Sequence, residues 1–499
     1  MTATINALRE RLGEIMDIRS AIALLDWDQQ VNMPPKGAAA RGRQLATLSK
    51  LEHGMFTAPE LGTILAELHE RSEQLAPDDA TLVEETLHDY TRATRLPESF
   101  VQAFAEERSE AYQVWVTARE KSDFSLFQGR LEKLLALLKQ KADLLGYEGS
   151  PYNALLEDFE RGMTAGQLSD LFADVGPRQA RLVDRIVNTK PDHEQFWREH
   201  VWDEQAQWDF AIEIVQAMGY DLEAGRQDKS PHPFTTNFDI HDVRITTRID
   251  PHDPFSGLMA SIHEAGHALY EQGFREEDRR TLLAQAPSLG MHESQSRMWE
   301  NMVGRSQPFW EHYGPLLHDR FPQQLRALGS DDIFRAVNQV QPSLIRVEAD
   351  ECTYNLHVIL RFEIETALME GRMAVSEIPE AWAAKVRQYL DLDVPDDARG
   401  CLQDVHWAHG AFGYFPTYAL GNLYAAQLYE TALEHIPDVG SHIANGDFQP
   451  LRNWLRRHIH QYGRRKRAAE IVRDVTGSEP SAEAYMRYLE TKFADLYAL

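Results

Sequence analysis

Residues 261–270 read Ser-Ile-His-Glu-Ala-Gly-His-Ala-Leu-Tyr, and this stretch decides how the rest of the chain is interpreted. It is rich in alanine and other apolar residues and has no proline, so it predicts an α-helix. Residues four apart lie on the same face of a helix, so His263 and His267 can offer two imidazoles to one metal ion. Glu264 lies about 100° further round the helix. It therefore faces the space beside the metal, where a general base can act on a water molecule that zinc activates.

A surface helix with two ordinary histidines is the alternative interpretation of this motif. The flanks argue against it, because residues 255–260 and 268–270 are mainly apolar and predict a buried helix. Unpaired imidazoles are costly in a buried position. The motif is therefore interpreted as part of a metal site.

A catalytic zinc site needs a third protein ligand and an open position. The metzincin continuation requires glycine at 270 and histidine at 273, but the chain has Tyr270 and Gly273, which excludes that class. The other common ligand is a carboxylate on a following helix. Glu293 is the first choice, because a Leu-Gly break at 289–290 allows the chain to return to the metal. Glu300 is the alternative.

Composition narrows the possible functions. The chain has 499 residues, of which 43% are hydrophobic, and a formal net charge of −27. This charge argues against binding to nucleic acid or to anionic membranes. The basic runs at 456–457 and 464–467 are interpreted as a solvated helix face, with a local anion or partner site as the alternative. Two cysteines provide no disulfide framework, and the first 20 residues lack the apolar core of a signal peptide, so we expect a cytoplasmic protein without membrane spans.

The spacing of apolar residues predicts one continuous, predominantly helical unit, 1–499, with lobes around a cleft. Residues 1–230 are expected to be mainly helical. Residues 231–250 are expected to form a short β region, because residues 235–248 alternate and are rich in β-branched side chains. Residues 251–499 are expected to be a helical part that carries the zinc site.

Three further segments place polar groups in apolar surroundings. Residues 242–246 are either an ordinary strand or an edge strand that pairs with an extended peptide in the cleft. Residues 344–354 are predicted to be helical and contain Arg346 and Asp350. These two residues form a surface ion pair, or Arg346 points into the cleft. Residues 400–418 are rich in glycine and aromatic residues, and their histidine and tyrosine side chains can donate to an oxyanion.

Together these segments resemble the M32 carboxypeptidases, the carboxypeptidase Taq family. The resemblance rests on five ordered motifs and extends from the Trp-Asp-Gln at 27–29 to the C-terminal helices. The motifs are Asp-x-Arg-x-Thr at 242–246, His-Glu-x-x-His at 263–267, His-Glu-Ser-Gln at 292–295, Ile-Arg-x-x-Ala-Asp at 345–350 and Gly-x-x-Gln-Asp-x-His-Trp at 400–407.

The resemblance implies an all-α metallopeptidase with a small antiparallel β element beside the zinc helix. It also implies an architecture similar to that of the oligopeptidase and angiotensin-converting-enzyme group, with lobes around a long substrate groove. The implied activity is release of single C-terminal residues, with broad side-chain tolerance, from peptides with a free C-terminal carboxylate. One Zn²⁺ per chain, with Co²⁺ as a possible substitute, and a homodimer are also implied.

The expected roles of individual residues follow from this reading. His263, His267 and Glu293 bind zinc, and Glu264 transfers the proton of the attacking water to the leaving amine. His406 and Tyr418 donate to the oxyanion, with Tyr414 as the reserve.

The resemblance assigns recognition of the substrate's terminal carboxylate to Arg346, which Asp350, four residues later, is expected to hold in place. Arg244 is the second choice for this role. A purely structural ion pair between Arg346 and Asp350 is the alternative.

Two other functions stay open. One is a peptide-binding protein that has lost catalysis, against which the intact Glu264 argues. The other is an endopeptidase or dipeptidase on the same scaffold, which would differ in how it binds the end of the substrate.

Overall fold

The computed structural model describes residues 2–189, 195–326 and 328–499. These residues are predominantly helical, as the sequence predicts, and contain twenty α-helices. The helices are α1 (Thr2–Val31), α2 (Ala38–Phe56), α3 (Pro59–His69), α4 (Pro77–Arg95), α5 (Glu98–Lys121), α6 (Ser125–Leu145), α7 (Tyr152–Leu156), α8 (Ala165–Asn188), α9 (Glu204–Met218), α10 (Pro254–Glu271), α11 (Leu289–Arg297), α12 (Gln307–Arg320), α13 (Ser330–Val337), α14 (Tyr354–Met369), α15 (Ile378–Leu390), α16 (Phe415–His435), α17 (Val439–Ala444), α18 (Gln449–His458), α19 (Ala468–Thr476) and α20 (Glu483–Tyr497). None of the described helices combines the length with the hydropathy that a bilayer crossing requires.

Shorter helical segments connect these elements. A π-helix at Met298–Gly304 continues α11. The 3-10 helices are Pro35–Gly37, Ser72–Gln74, Phe196–Glu199, Glu276–Asp278, Arg346–Glu348, Val375–Glu377, His406–His409 and His460–Arg465.

The small sheet lies beside α10. Its three strands, β1 (Gly225–Lys229), β2 (Thr235–Asp239) and β3 (Asp242–Thr247), have the order β1-β3-β2. β2 pairs with β3 in the antiparallel direction, as expected, but β1 pairs with β3 in parallel. The sheet is therefore mixed, and the prediction of an antiparallel element confined to 231–250 is wrong in these two respects. β1 escaped notice because its sequence, Gly-Arg-Gln-Asp-Lys, is polar and lacks the alternation that marks a half-buried strand.

Local signals define the start of the two helices that carry the motif residues. The carboxylate of Asp253 accepts the backbone N–H of Phe255 and of Ser256, both at 3.1 Å, and Pro254 occupies the first turn of α10. The hydroxyl of Ser288 accepts the backbone N–H of Met291 at 3.0 Å at the start of α11. Such caps satisfy backbone donors that a helix start leaves free.

Most of the buried apolar residues form two separate clusters. The larger cluster spans the chain from α5 to α20 and includes most of α10, α14 and α16. The smaller one belongs to α1–α4 and takes Leu283 from outside this range. We refer to α1–α4 as the N-terminal unit.

Ion pairs join the N-terminal unit to the body of the protein. Arg464 binds Glu85 and Asp89 of α4, at 3.0 and 2.8 Å, and Arg465 binds Asp78 and Asp278. The side chains of the two arginines are only 14% and 10% exposed. The interpretation of the run 464–467 as a solvated face is therefore wrong for these two residues, because their acidic partners are distant in sequence.

Candidate active site

Two glycines allow three helices to meet at the motif. A Cβ atom on Gly266 of α10 would lie 2.7 Å from the Cα atom of Ser296 and 2.9 Å from the carbonyl oxygen of Gln295. A Cβ atom on Gly421 of α16 would lie 2.5 Å from the Cγ atom of Glu293. At these distances a side chain at position 266 or 421 would displace its neighbours, so both positions require glycine. The two glycines let α10 and α16 pack closely against α11. This packing places Glu293 against the two histidines.

The three predicted metal ligands lie together. The Oε2 atom of Glu293 is 3.7 Å from Nε2 of His263 and 3.4 Å from Nε2 of His267. All three ligand atoms lie within 4.8 Å of one another, and no other such group of His, Cys, Asp or Glu side chains occurs in the described part of the chain. A tetrahedral zinc ion with bonds of about 2.0–2.1 Å separates its ligands by about 3.3 Å. The two nitrogens and one oxygen therefore fit such an ion in type and in spacing.

Glu300, the alternative ligand, supports the site from the other side of His263. Its Oε2 atom lies 2.9 Å from Nδ1 of His263, which leaves Nε2 free for a metal. Arg297 binds both carboxylates, Glu293 at 2.6 Å and Glu300 at 3.4 Å, and Arg305 binds Glu300 at 2.9 Å. π-helical turns are rare in proteins, and those that do occur are often found at functional sites. Here the π-helix carries Glu300.

The charges around Glu293 and His267 favour metal binding, whereas at His263 burial opposes protonation but Glu293 and Glu300 outweigh it and raise the pKa. Burial opposes the negative charge of Glu293, but Arg297 and His263 outweigh burial and hold its pKa well below the ordinary value. Burial, together with the nearby His292, lowers the pKa of His267 to about 3. The rings of His267 and His292 stack at 4.3 Å. The site thus offers a carboxylate and a neutral imidazole, which are the forms that bind zinc.

Glu264 is oriented by the sheet. Its side chain is buried, and its Oε2 atom accepts the hydroxyl of Thr235 on β2 at 2.6 Å. Burial raises the pKa of Glu264, which His263 and the Thr235 hydroxyl partly offset. A carboxyl group with a raised pKa is suited to accept and return a proton near neutral pH. The small sheet therefore contributes directly to this part of the site.

A cavity of about 850 Å³ opens beside these residues, and we refer to it as the site cavity. His263, Glu264, Arg297 and Glu300 contribute to its wall, as do Arg346 and Tyr354. Arg346 lies in a 3-10 helix and its side chain is 7% exposed. Its Nε and Nη2 atoms donate to Oδ1 of Asp404 at 3.0 and 2.9 Å, and Nη1 donates to the hydroxyl of Tyr354 at 2.9 Å.

The predicted pair of Arg346 with Asp350 is wrong, because Asp404 holds the guanidinium. The four-residue spacing suggested a helix, but the chain forms a 3-10 turn at 346–348 and then irregular turns up to α14. The carboxylate of Asp350 instead accepts the backbone N–H groups of Gln341, Cys352 and Thr353, at 2.9, 2.9 and 3.0 Å. Asp350 still lines the site cavity, but it shapes the backbone.

Arg244, the second choice for substrate binding, is not among the described residues that line the site cavity. It forms two bonds of 2.8 Å with Asp242. Its guanidinium lies 4.5 Å from the ring of Trp27 on α1 and 4.8 Å from that of Phe238. These contacts favour a structural role between β3 and the N-terminal unit over the peptide-pairing interpretation of 242–246.

The three predicted oxyanion donors cluster beside Arg346, but, like Arg244, they are not among the described residues that line the site cavity. The ring of His406 lies 5.3 Å from that of Tyr414 and 6.4 Å from that of Tyr418. The guanidinium of Arg346 lies 5.1 Å from the ring of Tyr418. Burial lowers the pKa of His406 to about 4, although Asp404 opposes this shift, so the imidazole is neutral near pH 7. Tyr418 lies one helical turn before Gly421, the residue that contacts Glu293.

Sequence reasoning missed Thr235, Arg297, Tyr354 and Asp404 as parts of the site. Asp404 stands inside a quoted motif, and Arg297 follows Glu293 by four residues, so both carried a signal. Thr235 and Tyr354 reach the site only through tertiary packing.

A His-Glu-x-x-His helix with a carboxylate of a following helix beside its two histidines defines a class of proteins, the metallopeptidases. Comparison with known proteins gives the family: residues 7–493 match the family model described as carboxypeptidase Taq (M32) metallopeptidase. The chain belongs to this family, and family membership implies a divalent metal.

Individual relatives agree with this assignment over almost the whole chain. Thermostable carboxypeptidase 1 of Thermus thermophilus is 43% identical, with 98% of each chain covered. Carboxypeptidase 1 of Bacillus subtilis is 38% identical, with 98% of this chain and 97% of the relative covered. The crystal structure of the M32 carboxypeptidase from Deinococcus radiodurans R1 superimposes with a TM-score of 0.97, at 38% identity and 100% coverage of both chains. The protein is therefore a metallocarboxypeptidase, a hydrolase that acts on peptide bonds.

Proposed function

We propose that the protein is a zinc-dependent carboxypeptidase that releases single C-terminal amino acids, with broad side-chain tolerance, from peptides. The observation that carries this proposal is that Arg346 shares one cavity with His263 and Glu264. A guanidinium there is suited to bind a terminal carboxylate near the group that performs proton transfer.

His263, His267 and Glu293 would hold the zinc ion, and Co²⁺ is a possible substitute. When bound, zinc supplies Lewis acidity that polarises a carbonyl and lowers the pKa of water. The spacing of the three ligand atoms and the support of His263 by Glu300 favour this assignment.

Glu264 is the general base in this proposal. Its carboxylate takes a proton from the attacking water and passes it to the nitrogen of the leaving amino acid. The bond of 2.6 Å from Thr235 fixes one carboxylate oxygen of Glu264, a residue that lines the site cavity.

Arg346 receives the C-terminal carboxylate of the substrate. Two of its nitrogens bind the same oxygen of Asp404, so the guanidinium is held in one orientation before the substrate arrives. A pre-oriented guanidinium loses little freedom on binding a carboxylate.

His406 and Tyr418 donate hydrogen bonds to the oxyanion that develops on the scissile carbonyl, with Tyr414 as the reserve. A neutral imidazole and a protonated phenol both carry a hydrogen to donate, and burial raises the pKa of Tyr418 well above its ordinary value. The ring of Tyr418 lies beside both the guanidinium of Arg346 and the ring of His406, and this proximity supports the proposed role.

Homodimer formation, a cytoplasmic location and an architecture with lobes around a long groove also belong to this proposal. A net charge of −27 agrees with peptide substrates and not with nucleic acid as the ligand.

The deciding experiment compares one peptide with its C-terminally amidated twin in a time course followed by mass spectrometry. We expect stepwise loss of single C-terminal residues from the free acid and little cleavage of the amide. Equal internal cleavage of both peptides would indicate an endopeptidase, and binding without cleavage by the zinc-loaded protein would indicate a peptide-binding protein.

The same assay tests Arg346. Arg346→Ala should lower kcat/KM for the free acid by about 10–100-fold, because it removes hydrogen bonds to a charged group. Arg487→Ala is the matched control, since that arginine of α20 forms an exposed ion pair with Glu430 of α16. Equal losses on the free acid and the amide would contradict the role of Arg346 in recognising the terminus.

A further inference from the structure

Two charged side chains of α14 are fully buried one helical turn apart. Arg361 and Glu365 are both 0% exposed and lie outside the five sequence motifs. Charged groups are almost never fully buried unless they are paired, because the loss of hydration is costly. Their partners therefore indicate what these residues are for.

Arg361 binds the same two residues that hold Arg346. Its Nε atom donates to Oδ2 of Asp404 at 2.7 Å, and its Nη2 atom donates to Oε1 of Gln403 at 2.8 Å. Arg346 donates to the other oxygen of Asp404, and its backbone N–H donates to the same Oε1 of Gln403 at 2.9 Å. Arg361 thus fixes from the protein interior the two groups that orient Arg346 toward the site cavity.

Glu365 fixes the next part of the same loop. Its Oε1 atom accepts the indole N–H of Trp407 at 2.8 Å, and its Oε2 atom accepts the backbone N–H of Gly413 at 3.0 Å and the hydroxyl of Tyr152 at 2.7 Å. Trp407 directly follows His406, and Gly413 directly precedes Tyr414. One carboxylate therefore spans the segment between two of the proposed oxyanion donors.

We propose that Arg361 and Glu365 are positioning residues for the reaction, which act through residues 400–418 on Arg346 and His406. This inference rests on the proposed function, because it presupposes the roles of Arg346 and His406.

The test uses the zinc-loaded full-length enzyme and the free-acid and amidated peptides. Arg361→Met should raise KM for the free acid about tenfold, as expected for a weakened hydrogen bond to a charged group, and should leave KM for the amide nearly unchanged. Glu365→Gln places an amide NH₂ opposite at least one of the groups that donate to Glu365, which displaces the loop that carries His406. It should therefore lower kcat about tenfold or more on both peptides. Zinc content should stay at one per chain in both variants.

Glu363→Gln is the matched control. Glu363 lies on the same helix but binds Lys385 and Tyr389, away from the loop, and should leave both KM and kcat unchanged. Arg361→Lys covers the case in which Arg361→Met does not fold, because it keeps the charge but loses the planar fork that serves Asp404, Gln403 and the carbonyl oxygen of His357.

A double-mutant cycle separates positioning from simple stability. If Arg361 acts through Arg346, the losses in kcat/KM for Arg361→Met and Arg346→Ala should be strongly non-additive. Additive losses, or a lower Tm with unchanged KM and kcat, would overturn the inference. If Arg346→Ala alone leaves the preference for the free acid unchanged, the proposed function is wrong at that residue. If Arg346→Ala behaves as proposed while the Arg361 and Glu365 variants match the control, only the inference is wrong.

Discussion

Gly421 of α16 lies directly against Glu293 of α11, so that a Cβ atom at position 421 would meet Cβ of Glu293 at 2.7 Å as well as Cγ at 2.5 Å. The position of Glu293, the proposed third metal ligand, is therefore set by the contact between two helices. Glu293 is fixed further by Arg297, which binds its other oxygen, Oε1, at 2.6 Å.

Gly421→Ala should weaken metal binding without unfolding the protein. The added methyl group displaces Glu293 by several tenths of an ångström or more, which disturbs the spacing of the three ligands. Since second-shell changes already cost about 10–100-fold in metal affinity, a loss of at least that size is expected in a chelator competition assay.

Gly42→Ala on α2 is the matched control for Gly421→Ala. A Cβ atom there meets no atom within 4 Å, so metal affinity should be unchanged and stability slightly higher. Unchanged metal affinity in Gly421→Ala would show that α16 shifts to accommodate the methyl group and does not set the position of Glu293.

Glu264→Gln should keep one zinc ion per chain but lose about 10²–10⁴-fold in kcat, because the amide cannot accept the proton. Thr235→Val should give a smaller loss in kcat with normal zinc content, since it removes only the hydroxyl that orients Glu264. Metal content and initial rates measured on the same samples check both variants. Loss of zinc in Glu264→Gln would mean that Glu264 supports the metal site and is not the base.

Stability should fall as the pH drops below about 6.5, in part because of His357. Burial, together with Arg361 and Arg346, lowers the pKa of this histidine to about 3 in the folded protein. The unfolded chain binds the proton near pH 6.5, so between about pH 6.5 and 3 the unfolded state binds more protons and acid favours unfolding.

His357→Gln should remove that contribution. When the pH falls from 7 to 5, the free energy of unfolding decreases in both proteins. The decrease should be about 2 kcal/mol smaller in His357→Gln than in the parent. Denaturant unfolding at both pH values measures the difference, and His53→Gln, at an exposed position on α2, is the control. Parallel pH dependence in parent and His357→Gln would contradict the assignment.

Arg464→Met should destabilise the protein by about 2 kcal/mol, because it removes hydrogen bonds from the buried Glu85 and the half-buried Asp89, while Arg161 still pairs with Glu85. Arg487→Met breaks an exposed pair with Glu430 and should cost less than about 1 kcal/mol. Thermal and denaturant unfolding of the two variants side by side test this difference. Similar small losses in both would show that the contact of Arg464 with α4 does little to hold the N-terminal unit.

The sequence was informative where chemistry requires a fixed local spacing. The proximity of Glu293 to the two histidines of α10 could be predicted because a helix presents residues four apart on one face and because a metal site needs a third ligand. The partner of Arg346 could not be predicted in the same way. Asp350 has helical spacing to it, but Asp404 reaches it through tertiary packing, which no local pattern encodes. β1 was missed for a similar reason. It is a strand because it pairs with β3, and its own residues do not favour a strand.

The separate core of the N-terminal unit has a consequence for catalysis in salt solutions. Salt screens the exposed side of these contacts, since Asp78 and Asp89 are 44% and 27% exposed, but it leaves apolar packing intact. The ion pairs of Arg464 and Arg465 therefore weaken while both cores persist. The first helix of that unit also contacts β2, where the hydroxyl of Ser20 donates to the carbonyl oxygen of Phe238 at 2.6 Å. β2 carries Thr235, which holds Glu264. Ionic strength is therefore expected to change the turnover rate at concentrations well below those that unfold the protein.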